Sequence, residues 1–218
     1  MKYYNFSPSC SSKYVSAIAI LNEDKIITSK CDCCGADELV LWNKFDLAFE
    51  CETITSKRRL PDLMLYSGKI LHSFNCWYIV SANFEKLCRD NLISGVTFTA
   101  IDLYYRKRGK LYKIEVPYFL MQIIGRAQLD YNKMKVSCSI CPKCGHYIYD
   151  DYFPLYNPKG IYPTVLDTLT WDKSDIFNHG DCTENFMRKV YRSELCGIDF
   201  LPFEEKFDTI DNQHYIRK

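Results

Sequence analysis

The chain has 218 residues, 47% apolar, 15% aromatic and 25% charged. Such a chain has the material for one or two packed domains, which excludes a disordered or fibrous protein. A formal net charge of +1 excludes a generic polyanion binder. Twelve cysteines are several times an ordinary load, yet too sparse for a small disulfide-stapled scaffold.

The first residues carry no apolar leader, and Val15–Leu21 and Val116–Ile124 fall far short of the roughly 20 residues that cross a bilayer. The expectation is a cytoplasmic protein whose thiols stay reduced or hold metal. Tyr14–Leu21 is short, apolar and β-branched and predicts a strand, with Lys25–Thr28 returning beside it as a hairpin. Cys31-Asp32-Cys33-Cys34-Gly35 interrupts this pattern, and Leu39–Trp42 resumes it. From Val80 the period becomes helical: Val80, Phe84, Leu87 and Cys88 share one face, with Ser81 as N-cap and Gly95 beyond the end. Val96–Ala100, Ile101–Tyr105 and Leu111–Val116 follow as candidate strands, the last two flanking the polar turn Arg106–Lys110. Tyr147–Pro163, rich in tyrosine and proline, reads as irregular packing.

An internal repeat underlies this order. Ser81–Phe98 aligns without a gap on Thr183–Phe200, matching the caps Ser81 and Thr183, Asn83 and Asn185, Phe84 and Phe186, Gly95 and Gly197, and the final Phe98 and Phe200. Upstream, Leu60–Met64 and Lys173–Phe177 resemble one another, although their distances to the cap differ by eleven residues. A capped helix, a glycine corner and a returning strand explain the shared positions. Charge divides over the same units: residues 56–113 hold eleven basic against four acidic residues, and residues 150–211 hold six against thirteen. The acidic part is therefore expected to steer a basic partner.

Two segments share the formula Cys-x-x-Cys-Gly: Cys31–Gly35 and Cys141-Pro142-Lys143-Cys144-Gly145. Two intervening residues let both thiolates bend onto one ion, and the glycine lets backbone approach the sulfurs. One such knuckle is half of a tetrahedral zinc site or a redox dithiol; two make a complete site. The expected ligands are Cys31, Cys34, Cys141 and Cys144, with Cys33, Cys138 and His146 as neighbouring substitutes. Four thiolates leave no open position, so such an ion is structural. Cys10, Cys51, Cys76, Cys88, Cys182 and Cys196 have no ligand spacing and read as small buried hydrophobes. There is no His-Glu-x-x-His, phosphate loop or nucleophile elbow, and the expectation is that the protein is not an enzyme.

At these knuckles, and at Trp171–Phe177 and Leu195–Pro202, the chain resembles the double-CXXCG motif family of bacterial proteins. Some members are regarded as immunity proteins that neutralise a toxin delivered between neighbouring cells. The resemblance spans roughly residues 14–205, and the extra thiol Cys33 departs from the plain pattern. It carries over no catalytic residue and implies one-to-one binding of a cognate toxin.

The expectation is an α+β protein with mixed or antiparallel sheets and short helices, in two related halves (1–125 and 126–218) joined through a four-cysteine zinc site. A basic toxin would meet Asp172, Asp175, Asp181, Glu184, Glu194, Asp199, Glu204 and Glu205, with Trp171, Tyr191 and Phe203 as candidate anchors. The alternatives are a nucleic-acid-binding zinc module using Arg106, Lys107 and Arg108, and a thiol oxidoreductase.

Overall fold

The computed structural model describes residues 2–9, 11–22, 27–35, 37–41, 47–65, 78–129, 138–143, 147–149, 166–167, 169–178, 180–202 and 216–217. In chain order the strands begin with β1 (Tyr3–Pro8), β2 (Ala17–Ile20), β3 (Ile27–Lys30), β4 (Asp37–Leu41), β5 (Ala48–Cys51) and β6 (Leu63–Leu65). Next come β7 (Tyr78–Ser81), helix α1 (Ala82–Asp90), β8 (Val96–Lys107), β9 (Lys110–Lys113), β10 (Tyr118–Ile123) and β11 (Gln128–Leu129). The chain continues with β12 (Cys138–Ile140), β13 (Tyr147–Tyr149), β14 (Leu166–Asp167), β15 (Ile176–Phe177) and β16 (Asp181–Thr183). Helix α2 (Glu184–Arg192), β17 (Ile198–Pro202) and β18 (Ile216–Arg217) complete it. The fold is mixed α+β with short helices.

A larger sheet runs β2-β5-β8-β10-β7-β6, with β9 added on β8, and a smaller one runs β15-β16-β1-β17-β18. All pairings in these sheets are antiparallel except β5 with β8. The hairpin expected between Tyr14–Leu21 and Lys25–Thr28 does not form. β2 pairs instead with β5, whose Phe49 and Cys51 need cover, while β3 pairs with β4 around the first knuckle. Val96–Ala100 and Ile101–Tyr105 are one strand, since no turn residue separates them.

The two helix units are built alike. Ser81 Oγ accepts from Phe84 N (3.2 Å) and Thr183 Oγ1 from Phe186 N (3.4 Å), so both predicted caps stand. The amide of each cap bonds back to an aspartate carbonyl, Ser81 N to Asp62 O (3.1 Å) and Thr183 N to Asp175 O (2.9 Å). Each unit has a central strand from outside its helix–glycine–strand segment: β10, which follows β8 and β9, lies between β7 and β8, and β1, from the other end of the chain, lies between β16 and β17. The registers agree. Tyr118 lies opposite Ser81, Met121 opposite Phe98 and Ile123 opposite Val96; likewise Tyr3 lies opposite Thr183, Phe6 opposite Phe200 and Pro8 opposite Ile198. Backbone bonds at the strand ends match too: Ala82 N to Pro117 O and Glu184 N to Lys2 O, then Ile124 N to Gly95 O and Ser9 N to Gly197 O.

The units interlock through their aspartates. Asp62 accepts from its own cap Ser81 Oγ and, across the interface, from Cys196 N at 2.8 Å. Asp175 accepts from its own cap Thr183 Oγ1 (3.1 Å) and from Ser94 N (3.2 Å) of the other unit. Ser94 and Cys196 precede the two glycine corners. Gly95 (φ +90°) and Gly197 (φ +78°) are left-handed, and a Cβ there would lie 1.9 Å from Ile176 O and 2.4 Å from Pro61 Cβ. Glycine lets each unit seat against the other.

The helices bury their stripes in one shared core. Phe84 and Phe186 meet edge to face at 5.9 Å, joined by Phe6, Phe200, Met121, Leu63 and Ile176. The alternate residues Met64, Ile79, Leu120 and Tyr118 pack on the opposite face of the larger sheet with Val15, Leu47, Phe49 and Leu103.

Removing either aspartate strands a cap hydroxyl and a corner amide. Asp62→Ala is expected to cost about 3 kcal/mol and the more exposed Asp175→Ala about 2 kcal/mol, by urea unfolding. The Asn variants should recover part of each loss.

Candidate metal centre

Both knuckles sit at hairpin turns. Lys30 pairs with Asp37 below the first and Ile140 with Tyr147 below the second, so the two turns span the same number of residues. Within the first, Gly35 N donates to Cys31 O at 2.7 Å with Gly35 at φ +71°, which folds the turn back over its sulfurs. The turns face one another: exposed Asp32 and Lys143, the variable residues of the two knuckles, form an ion pair.

Cys31, Cys34 and Cys141 bring their sulfurs within 4.8 Å of one another, and Cys31 Sγ lies 3.8 Å from Cys141 Sγ. Four sulfurs at about 2.3 Å from a tetrahedral ion stand about 3.8 Å apart, so the donor set and its spacing fit a thiophilic metal. Among the described residues, no other cluster of His, Cys, Asp and Glu has this reach. Cys31 and Cys141 are buried and Cys34 half-buried. Cys144, the fourth expected ligand, His146 and the side chain of Cys138 lie outside the described residues. Cys33 is exposed; its hydrogen bond with Cys141 and the charge of that sulfur push its thiol up.

Cys51, Cys88 and Cys182 are buried, as expected of packing groups, whereas Cys196 is half-buried and hydrogen-bonds to Asp62 and Tyr14. Burial pushes Cys51 up to about 11, Cys88 up to about 12 and Cys182 well above the ordinary value. Burial, with Asp62 beside it, raises Cys196 as well. Raised thiols are poor nucleophiles. Cys10 and Cys76 lie outside the described residues.

Most of the candidate partner residues are engaged within the fold. Asp175 is the interlock already described, and it also accepts from Asn185 Nδ2 at 3.0 Å. Asp172 accepts from Arg126 N (2.8 Å) and Ser174 N (2.9 Å); burial works to raise its carboxyl, but these bonds outweigh it and hold the group below its ordinary value. Asp181 accepts from Asn5 Nδ2 (3.2 Å) and Asn178 Nδ2 (3.1 Å), and burial pushes it up to about 6. Glu184 holds Arg188 at 2.8 Å, one turn along α2. Asp199 is buried in β17 opposite Ser7 and Arg217. Trp171 is half-buried, donates Nε1–H to Ser174 O at 3.1 Å and packs against Tyr3 and Phe177. Glu194 and Tyr191 are exposed, whereas Phe203, Glu204 and Glu205 lie outside the described residues.

The basic run behaves differently. Arg106 is bound to Glu50 through two bonds (2.8 and 2.9 Å), but exposed Lys107, Arg108 and Lys110 form no ion pair among the described residues. Parallel pairing of β5 with β8 also brings Lys13, Lys57 and Arg59 toward this hairpin. The sequence pattern did not reveal that neighbourhood, because no local signal announces a parallel pair.

No protein-family model matches the chain, and no curated protein does. No helix among the described residues is long and apolar enough to cross a membrane.

Two outcomes are expected. Cobalt titration should show thiolate coordination at one equivalent in the native protein, and Cys31→Ser and Cys141→Ser should each weaken it at least tenfold. Asp181 binds its proton more tightly folded than unfolded, so its contribution to stability is full below about pH 4 and lost as pH rises through about 6. Urea melts of Asp181→Asn and native protein should accordingly move in favour of the variant between pH 4 and pH 7.

Proposed function

We propose that the chain is a stoichiometric binding protein of the toxin-neutralising immunity type, built from two related halves and clipped by one structural zinc ion. The 3.8 Å approach of Cys31 and Cys141 carries this reading: thiolates 110 positions apart meet at the edge length of a tetrahedral sulfur site. Zinc is the natural occupant of four such ligands, with Cys144 as the fourth and Cys33, Cys138 and His146 as its neighbours. A closed sulfur site holds shape and leaves function to the surface. The matched registers of β1 and β10 and the crossed aspartates support common ancestry of the two units. The resemblance at the paired knuckles adds a cognate toxin as partner, met in the cytoplasm and blocked by occlusion.

Coexpression with the product of the adjacent upstream reading frame tests this. The expected result is a one-to-one complex, protection from that product's toxicity, and one zinc per chain by elemental analysis of protein purified without chelator. Absence of both complex and protection overturns the reading.

A further inference from the structure

Three stretches of chain far apart in sequence converge on one end of the larger sheet. Cys51 at the end of β5 lies beside Tyr105 of β8 and opposite Ala17 at the start of β2, so all three strands present the same end. Beyond them, Tyr14 bridges to Arg59, Thr55 to Arg58, and Thr53 Oγ1 donates to Arg106 O at 3.2 Å. The β8–β9 hairpin turns over this end through Arg108 and Gly109, both at positive φ. The carboxylates of these strands are already taken: Glu50 holds Arg106, Glu52 holds Arg58 at 2.6 Å, and Asp102 holds Lys113 at 2.6 Å. Lys13, Lys57, Arg59, Lys107, Arg108 and Lys110 remain exposed and form no ion pair among the described residues. Arg59 is placed by Tyr14, whose ring it covers at 5.2 Å and whose hydroxyl accepts its hydrogen bond. Leu111 and Tyr112, 41% and 43% exposed, add apolar surface on the outer strand.

We propose that this end of the sheet is the docking surface, and that it takes an acidic face of a folded protein partner. The surface rests on the binding-protein reading above and names the chemistry of its partner. Six exposed cations that form no ion pair among the described residues, beside tyrosine and leucine, give the mixed charged and apolar surface that protein interfaces use. A nucleic-acid strand fits less well. Tyr105 and Tyr112 stack on each other at 5.5 Å, which occupies one face of each ring, and the whole chain carries only one net positive charge. Four of the acidic candidates of the C-terminal part, Asp172, Asp175, Asp181 and Glu184, are spent on internal bonds, which favours the basic end as the complementary surface.

The test uses full-length, metal-loaded protein with the purified product of the adjacent reading frame. Lys107→Glu/Lys110→Glu should weaken the complex at least tenfold, and native binding should weaken as salt rises. Lys189→Glu/Arg192→Glu, the same charge change on α2, should stay within twofold. Both variants change groups that form no ion pair among the described residues, and melting temperatures close to native confirm that they fold. The surface is overturned if the hairpin variant binds like native protein or if the α2 variant loses more. It is equally overturned if the hairpin change abolishes binding to a poly(dT) strand and leaves the protein complex intact. A native protein that forms no complex at all fails at the binding-protein reading, and the surface falls with it.

Discussion

Two carboxylates set the geometry on which everything else depends. Asp62 and Asp175 each reach back to the hydroxyl that caps their own helix and forward to the amide before the other unit's glycine corner. One side chain thus fixes a helix start and an inter-unit contact together, so its loss would leave donors on both units without their partner. The glycines complete the arrangement, since a side chain at either corner would collide with the facing segment. Once these contacts form, Phe84 and Phe186 must meet, and the two sheets share one core.

Parts of this were legible in the sequence. Ser81 and Thr183 announced their helices because capping is local, and the glycines marked corners for the same reason. Both knuckles were legible from spacing alone. The central strands were not: nothing around Tyr3–Pro8 says that it inserts between β16 and β17 at the far end of the chain, while β10 does the same for the first unit. The roles of Asp62 and Asp175 were visible only as a resemblance between two short segments, since their partners lie on the opposite unit. The pairing of β2 also escaped. A short apolar run forms a hairpin with its neighbour only when no better-buried partner exists, and β5 supplied one.

The interlock of the two units bears on what the metal can do. The 106 residues between Cys34 and Cys141 form a long loop, and closing such a loop in an unfolded chain costs about 4–5 kcal/mol. The shared core and the crossed aspartates already hold the two units together without any help from sulfur. A metal at Cys31, Cys34 and Cys141 therefore acts mainly on the two hairpins that carry the knuckles, fixing their mutual orientation alongside the Asp32–Lys143 pair. The capped helices answer to the aspartates, and the hairpins to the sulfurs.

Charge follows the same logic of construction. Four carboxylates of the C-terminal part are used within the fold: Asp175 in the interlock, Asp172 in the turn before it, Asp181 against two asparagines, Glu184 at a helix N-terminus where negative charge is favoured. A count of acids along the chain does not show these bonds. Among the basic residues of the β8–β9 hairpin, Arg106 and Lys113 hold Glu50 and Asp102, whereas Lys107, Arg108 and Lys110 form no ion pair among the described residues. Segregated charge in the sequence thus becomes two different things among the described residues: Asp172, Asp175, Asp181 and Glu184 are bonded within the fold, whereas Lys107, Arg108 and Lys110 are exposed and form no ion pair.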